Sequence, residues 1–135
     1  SPVTETAFIA KKGVGAYKIT ANQRLLLGLA KKQTDSIKII GSLSHSSPEF
    51  DTVVDQQKNT AKKVEVVQIG SALKFCKVAE GEADMYPRFV PTMEWDTAAG
   101  QLLVEECGKT MIDLVTNQRM TYNKESLKNN GFVVS

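Results

Sequence analysis

The chain has 135 residues, 41% apolar and 24% charged, which is room for one hydrophobic core and an ordinary composition for a globular protein. A net charge of +2, with the basic residues scattered as pairs (Lys11-Lys12, Lys31-Lys32, Lys62-Lys63), excludes a nucleic-acid polymer as partner. No apolar run approaches the roughly 20 residues that span a bilayer, so no integral membrane segment is expected.

In chain order, residues 4–10 read as a strand, Lys11 to Gly15 as a glycine turn, and Ala16 to Ile19 as a return strand. That hairpin has no partner sheet in this reading and should dock on something, since an isolated hairpin is marginal in water. Ser36 to Gly41 is the next strand, followed by the polar loop Ser42 to Ser47. Pro48 suits a first helical position with a serine cap before it, and Phe50, Val53 and Val54 give that helix an apolar face that fades by Asn59.

Val64 to Ile69 reads as a strand covered on both faces. Gly70-Ser71 leads into a mostly buried helix through about Glu80, and residues 84–89 form a short strand broken by Pro87. A helix opens at Trp95-Asp96, with Asp96 at its N-cap, runs to Cys107 and stops at Gly108. Thr110 to Val115 is a strand, Asn117-Gln118 a turn, and residues 131–134 a last edge strand. Strands alternating with helices predict a layered α/β/α domain with a mixed sheet. Cys76 and Cys107 form no CxxC pair; two free thiols in a reducing cytosol is the favoured reading, and a single disulfide between them stays open.

Several residues carry chemistry. Gly100 in the first turns of a helix costs about 1 kcal/mol relative to alanine, so something should approach the backbone there. Asp96 at a helix start would be held ionised and offers a hard oxygen of the kind Mg²⁺ prefers, although from the residues alone a plain capping role is the favoured reading. Ser71 and Lys74 are three apart at a helix start and share a face, an arrangement suited to an anion. Arg88, at a strand end, could fork onto a phosphate, and His45 sits in a serine-rich loop after a strand, where binding groups are common. Glu94 is given no role, because neighbours at a helix start point different ways.

Trp95-Asp96-Thr97-Ala98-Ala99-Gly100 resembles the second signature of the lithium-sensitive, inositol-monophosphatase-like phosphatases, whose aspartate is a metal ligand. Residues 70–76, 79–89, Pro91-Thr92 and 131–134 look like the 3′(2′),5′-bisphosphate nucleotidase branch of that family. The resemblance implies Mg²⁺ as cofactor, held in part by Asp96, and His45, Ser71, Lys74, Arg88 and Asp96 as residues that meet a nucleotide bisphosphate substrate. It implies removal of the 3′-phosphate of adenosine 3′,5′-bisphosphate, or of its sulfated precursor, with lithium or sodium as inhibitors. The place it implies is the cytoplasm or the periphery of the inner membrane.

The family's first signature, Asp-Pro-x-Asp-Gly-Thr, does not occur in the chain, and Asp35, Asp51, Asp55, Asp84 and Asp113 lie in no such motif. The opening Ser-Pro-Val, the missing signature and the orphan hairpin together lead us to expect the C-terminal half of the enzyme, nearly inactive by itself. In that reading residues 1–34 are a hairpin and connector of a preceding domain, and 35–135 form the α/β domain. The face left by the absent half would favour self-association. Two other readings are an inositol or sugar phosphate phosphatase on the same fold, and a non-catalytic domain that binds nucleotide or protein.

Overall fold

The computed structural model describes residues 1, 3–28, 35–42, 47–60 and 63–135. The chain begins with β1 (Ala7–Lys11), β2 (Gly15–Thr20), β3 (Gln23–Leu26) and β4 (Ser36–Ser42), then α1 (Pro48–Lys58), β5 (Lys63–Ile69) and α2 (Leu73–Ala79). It continues with β6 (Tyr86–Arg88), β7 (Thr92–Met93), α3 (Glu94–Glu105), β8 (Met111–Asp113), β9 (Gln118–Arg119), β10 (Lys128–Asn129) and β11 (Phe132–Val134).

The expected hairpin is present but is not a lone pair. Gly13 and Gly15, at φ 72° and 117°, make the tight turn between β1 and β2, and β3 adds a third antiparallel strand through pairs from Tyr17↔Leu26 to Thr20↔Gln23. The Gln-Arg-Leu-Leu run of β3 is exposed at all four positions and has no alternation, so pairing to β2 alone makes it a strand. This meander docks where the isolated-hairpin argument requires. Ala16 is fully buried in the main core, with Phe8, Ala10 and Leu27 against it. The Gly13 and Gly15 N–H groups donate to the two Glu106 oxygens, each at 2.9 Å, and Lys18 pairs with Glu80. The expected connector at residues 29–34 lies outside the described residues.

The main sheet is mixed. β4 and β5 are parallel in a seven-residue register from Ser36↔Lys63 to Ser42↔Ile69. β6, β11, β8 and β9 are antiparallel neighbours in that order. A parallel bridge between Ile39 and Met85 joins the two pieces, with the Ile40 N–H donating to the Met85 carbonyl at 2.8 Å. The order across the sheet is therefore β5-β4-β6-β11-β8-β9. Two expectations change. β11 is not an edge strand: it lies between β6 and β8 with Phe132 and Val134 fully buried, as its unbroken Phe-Val-Val run suits. β5 is the strand at the sheet's end, and Val66 is 44% exposed, so it is not covered on both faces. Pro87 pairs with Val133 inside β6 and does not break it.

Successive residues of a strand face opposite sides, and this places the helices. A side chain at Gly41 would meet the Phe50 ring of α1 at 3.2 Å, whereas its neighbour Ile40 joins the cluster of Phe75, Val78, Leu103, Val104 and Phe132 under α2 and α3. The result is the expected α/β/α layering. α1 forms as anticipated, with the Ser47 hydroxyl accepting from the Phe50 N–H at 3.3 Å and Pro48 in the first turn. At the centre of the core Phe75, Tyr86 and Phe132 meet edge-to-face or stacked, with ring centroids 5.3 to 5.9 Å apart. Each such buried ring contributes roughly 1.5–3 kcal/mol. Gly100 explains itself here: a side chain on it would sit 2.5 Å from the Phe75 ring, so its absence lets α2 and α3 close on each other. α3 ends one turn before Gly108, which takes φ 76° in a Schellman closure, Lys109 N–H to Val104 O and Gly108 N–H to Glu105 O.

Cys76 lies in α2 and Cys107 just beyond α3; both thiols are free and half-buried, and burial raises the pKa of each. Among the described residues no helix is long and apolar enough to cross a membrane.

Candidate active site

β4, β5 and β6 run parallel, so their carboxyl ends share one edge of the sheet, the usual place for ligands in open α/β sheets. The segment after β5 carries Ser71 and Lys74, β6 ends on Arg88, and the loop after β4 contains His45. His45 itself lies outside the described residues.

Lys74 is buried, its ammonium donating to the Ser71 carbonyl at 3.3 Å and standing 5.6 Å from the Tyr86 ring centroid. Burial first, and then the charge of Arg88, hold its pKa below the usual lysine value. Two cations are therefore close enough to repel, which an anion between them would relieve. Burial pushes the Tyr86 hydroxyl up to about 12, with Arg88 opposing and Asp96 assisting. Lys74, Arg88 and Asp96 thus lie within electrostatic reach of one side chain. Arg88 is held by its Nε–H, which donates to the Val90 carbonyl at 3.1 Å.

Two local readings are corrected. α2 starts at Leu73 and has seven residues, so Ser71 stands before the helix and does not share its first turn with Lys74. Ser71 is exposed at φ 54°, a left-handed conformation uncommon outside glycine and often found at functional sites. α3 starts at Glu94 with Met93 as its N-cap, three residues before the expected cap, so Asp96 is the third residue of the helix and not its cap. Its Oδ2 reaches back to accept from the Met93 N–H at 2.9 Å, half of a capping box. Its Oδ1 has no hydrogen bond among the described residues, and the side chain is exposed.

One hard, uncommitted carboxylate oxygen at the positive end of a helix fits a single ligand of a divalent cation. Among the described residues no group of three or more acidic, histidine or cysteine side chains gathers to hold a metal. The donor set among the described residues offers one oxygen ligand to a divalent cation. An open cleft of about 620 Å³ between Pro91, Val115 and the 124–131 segment is lined by none of these residues.

A sequence model of the inositol monophosphatase family matches residues 1–133. The chain belongs to that family. It is 35% identical over its whole length to the 3′(2′),5′-bisphosphate nucleotidase CysQ of Shigella flexneri, covering 52% of that protein. Over 97 residues it is 39% identical to CysQ of Escherichia coli K12, covering 72% of this chain and 38% of the relative. The crystal structure of CysQ from Bacteroides thetaiotaomicron superposes with a TM-score of 0.88 at 35% identity, over 99% of this chain and 55% of that one. The chain spans about half the length of the curated relatives it matches.

The residues that sequence reasoning missed surround Asp96. Glu94, left without a role, is nearly buried and accepts from the Asn123 N–H at 2.7 Å, the Lys124 N–H at 3.2 Å and the Lys124 ammonium at 2.7 Å. The Lys124 ammonium is the main cause that holds its carboxyl below the usual range. Asn129, fully buried, shares its two amide N–H donors among Thr92 Oγ1, Met93 O and Thr97 Oγ1, at 3.2, 3.0 and 2.9 Å. The one available signal was a glutamate and a threonine on either side of Trp95-Asp96, which the helix start at Glu94 turns inward.

Proposed function

We propose that this chain supplies one half of a Mg²⁺-dependent phosphomonoesterase site that removes the 3′-phosphate of adenosine 3′,5′-bisphosphate, or of its sulfated precursor, giving AMP and phosphate. The observation that carries the reading is that two cations, Lys74 and Arg88, and a carboxylate with one uncommitted oxygen, Asp96, all neighbour the Tyr86 side chain. The relatives named bisphosphate nucleotidases support the choice of substrate.

In this reading Asp96 Oδ1 holds one side of the ion, and the ion supplies Lewis-acid polarisation of the phosphoryl group when bound. Lys74 neutralises phosphate as a point charge and Arg88 does so as a planar fork. The Ser71 hydroxyl, presented by its left-handed backbone, and His45 orient the nucleotide. The remaining metal ligands come from outside these residues, so the chain alone turns over slowly. Residues 1–34 extend a sheet of a preceding half and residues 35–135 form the domain that carries the site. In the same reading the chain self-associates, and the setting is cytoplasmic.

The test is a kinetic comparison in a protein that carries this chain together with an upstream half. Lys74→Met and Arg88→Met should each raise KM for adenosine 3′,5′-bisphosphate about tenfold or more, the size expected of a lost charge-assisted hydrogen bond. An unchanged KM in both variants, or equal loss on inositol phosphates in a side-by-side panel, contradicts the nucleotide assignment.

A further inference from the structure

We infer that Asn129 is a positioning residue for the metal-binding carboxylate, acting through the backbone of Met93. This rests on the proposed role of Asp96. The argument is a short relay. The Met93 N–H donates to Asp96 Oδ2 at 2.9 Å, which leaves Oδ1 as the oxygen not engaged by the backbone. The other side of the same residue, the Met93 carbonyl, accepts from the Asn129 amide at 3.0 Å. One side chain therefore adds to the β7–β10 pairing in holding the residue that in turn orients the carboxylate.

The relay is held at each end. Asn129 Nδ2 also donates to Thr97 Oγ1 at 2.9 Å, one residue beyond Asp96, so it spans the position from both sides. Its Oδ1 accepts from the Lys124 ammonium at 3.1 Å, and that same ammonium grips Glu94 in the first turn of α3. The Tyr122 hydroxyl lies 3.3 Å from Thr97 Oγ1 and 2.6 Å from Gln101 Oε1. Asn129, Thr97 and Gln101 are each 2% exposed or less, and no buried side-chain polar atom among the described residues lacks a partner. A fully satisfied buried network has one low-energy arrangement. A carboxylate in an exposed first turn would otherwise sample several rotamers, and a metal would have to select one.

Outer partners of metal ligands typically change metal affinity about 10–100-fold when removed. The experiment is Mn²⁺ binding, followed by the loss of the free-ion electron paramagnetic resonance signal, in the protein that carries this chain with its upstream half. Wild type is compared with Asn129→Ala and Asp96→Asn, and thermal unfolding is recorded for each. Asn129→Ala should weaken Mn²⁺ about tenfold or more and raise the Mg²⁺ concentration for half-maximal turnover equally, with KM for nucleotide at saturating Mg²⁺ unchanged. Asn129→Ser, too short to reach the Met93 carbonyl while keeping a polar group in the space, should do the same if the alanine variant does not fold. A folded Asn129 variant with wild-type Mn²⁺ affinity but a lower Tm overturns the inference, because the network is then structural only. If Asp96→Asn itself leaves Mn²⁺ binding intact, the metal assignment falls and the relay with it.

Discussion

α3 has two halves held in different ways. Its first turn, Glu94 to Thr97, is fixed by hydrogen bonds from Asn123, Lys124 and Asn129, across separations of 29 to 32 residues in the chain. Its middle is held by shape: Gly100 against the Phe75 ring, and Leu103 and Val104 in the apolar cluster. Apolar packing is strong but tolerates small rotations, whereas hydrogen bonds are modest in net energy and specific in direction. The half that presents Asp96 is the polar one. The stability of the helix and the aim of its functional side chain are thus separable quantities, which mutations can address one at a time.

The largest stability effect should come from the apolar half. Phe75→Ala removes the ring that touches Gly100, Tyr86 and Phe132, and should cost about 3–5 kcal/mol, read as a fall in urea midpoint. Gly100→Ala forces the same ring to move from a 2.5 Å approach and should cost about 1–3 kcal/mol, offset in part by the better helix propensity of alanine. Metal affinity of the folded Gly100 variant should stay near wild type. A large loss of metal binding without loss of stability would erase the distinction between the two halves.

Glu106→Ala comes next, because it unties the Gly13 and Gly15 amides from the end of α3. We expect about 1 kcal/mol, the usual net worth of such bonds at a partly exposed site, with faster hydrogen exchange confined to the β1–β2 turn. The smallest effect is one of pH. Burial raises the Asp113 carboxyl, but bonds from Asn130, Thr116 and Val115 outweigh it and leave the pKa below the ordinary value. A carboxylate lowered in the folded state contributes stability above its unfolded pKa and loses it as pH falls through the folded one. Asp113→Asn should therefore lower Tm mainly at neutral pH, where the contribution is fully present, and little in acid, so that the acid-side fall in Tm is flatter.

Much of the fold was legible because local chemistry and tertiary context agree. Ser47-Pro48 caps α1 as written, and Gly108 closes α3 with the positive φ that favours glycine. Gly100 announced a close approach that proved to be Phe75. The misreadings fall where tertiary pairing decides. β3 has no strand pattern of its own, and β9 and β10 have two residues each, too short for any period to register. β11 reads as an edge strand in the sequence, although its apolar run already suits the central place it takes between β6 and β8. At the site, the residue types came through family resemblance, while the start of α3 did not: Asp96 has the chemistry of a cap, yet the helix begins at Glu94 because long-range bonds hold that residue. Lys124 and Asn129, far along the chain, could not be connected to Asp96 by spacing.

The most direct test of the central claim is phosphate release from adenosine 3′,5′-bisphosphate with Mg²⁺, measured for this chain alone and for the chain joined to an upstream half. Turnover in the joined protein and little in the chain alone is the expected result, since Asp96 would then be one ligand of a site completed from outside. Full activity in the chain alone would contradict the shared metal site. Inactivity in both would contradict the phosphatase reading and leave a domain that binds without catalysis.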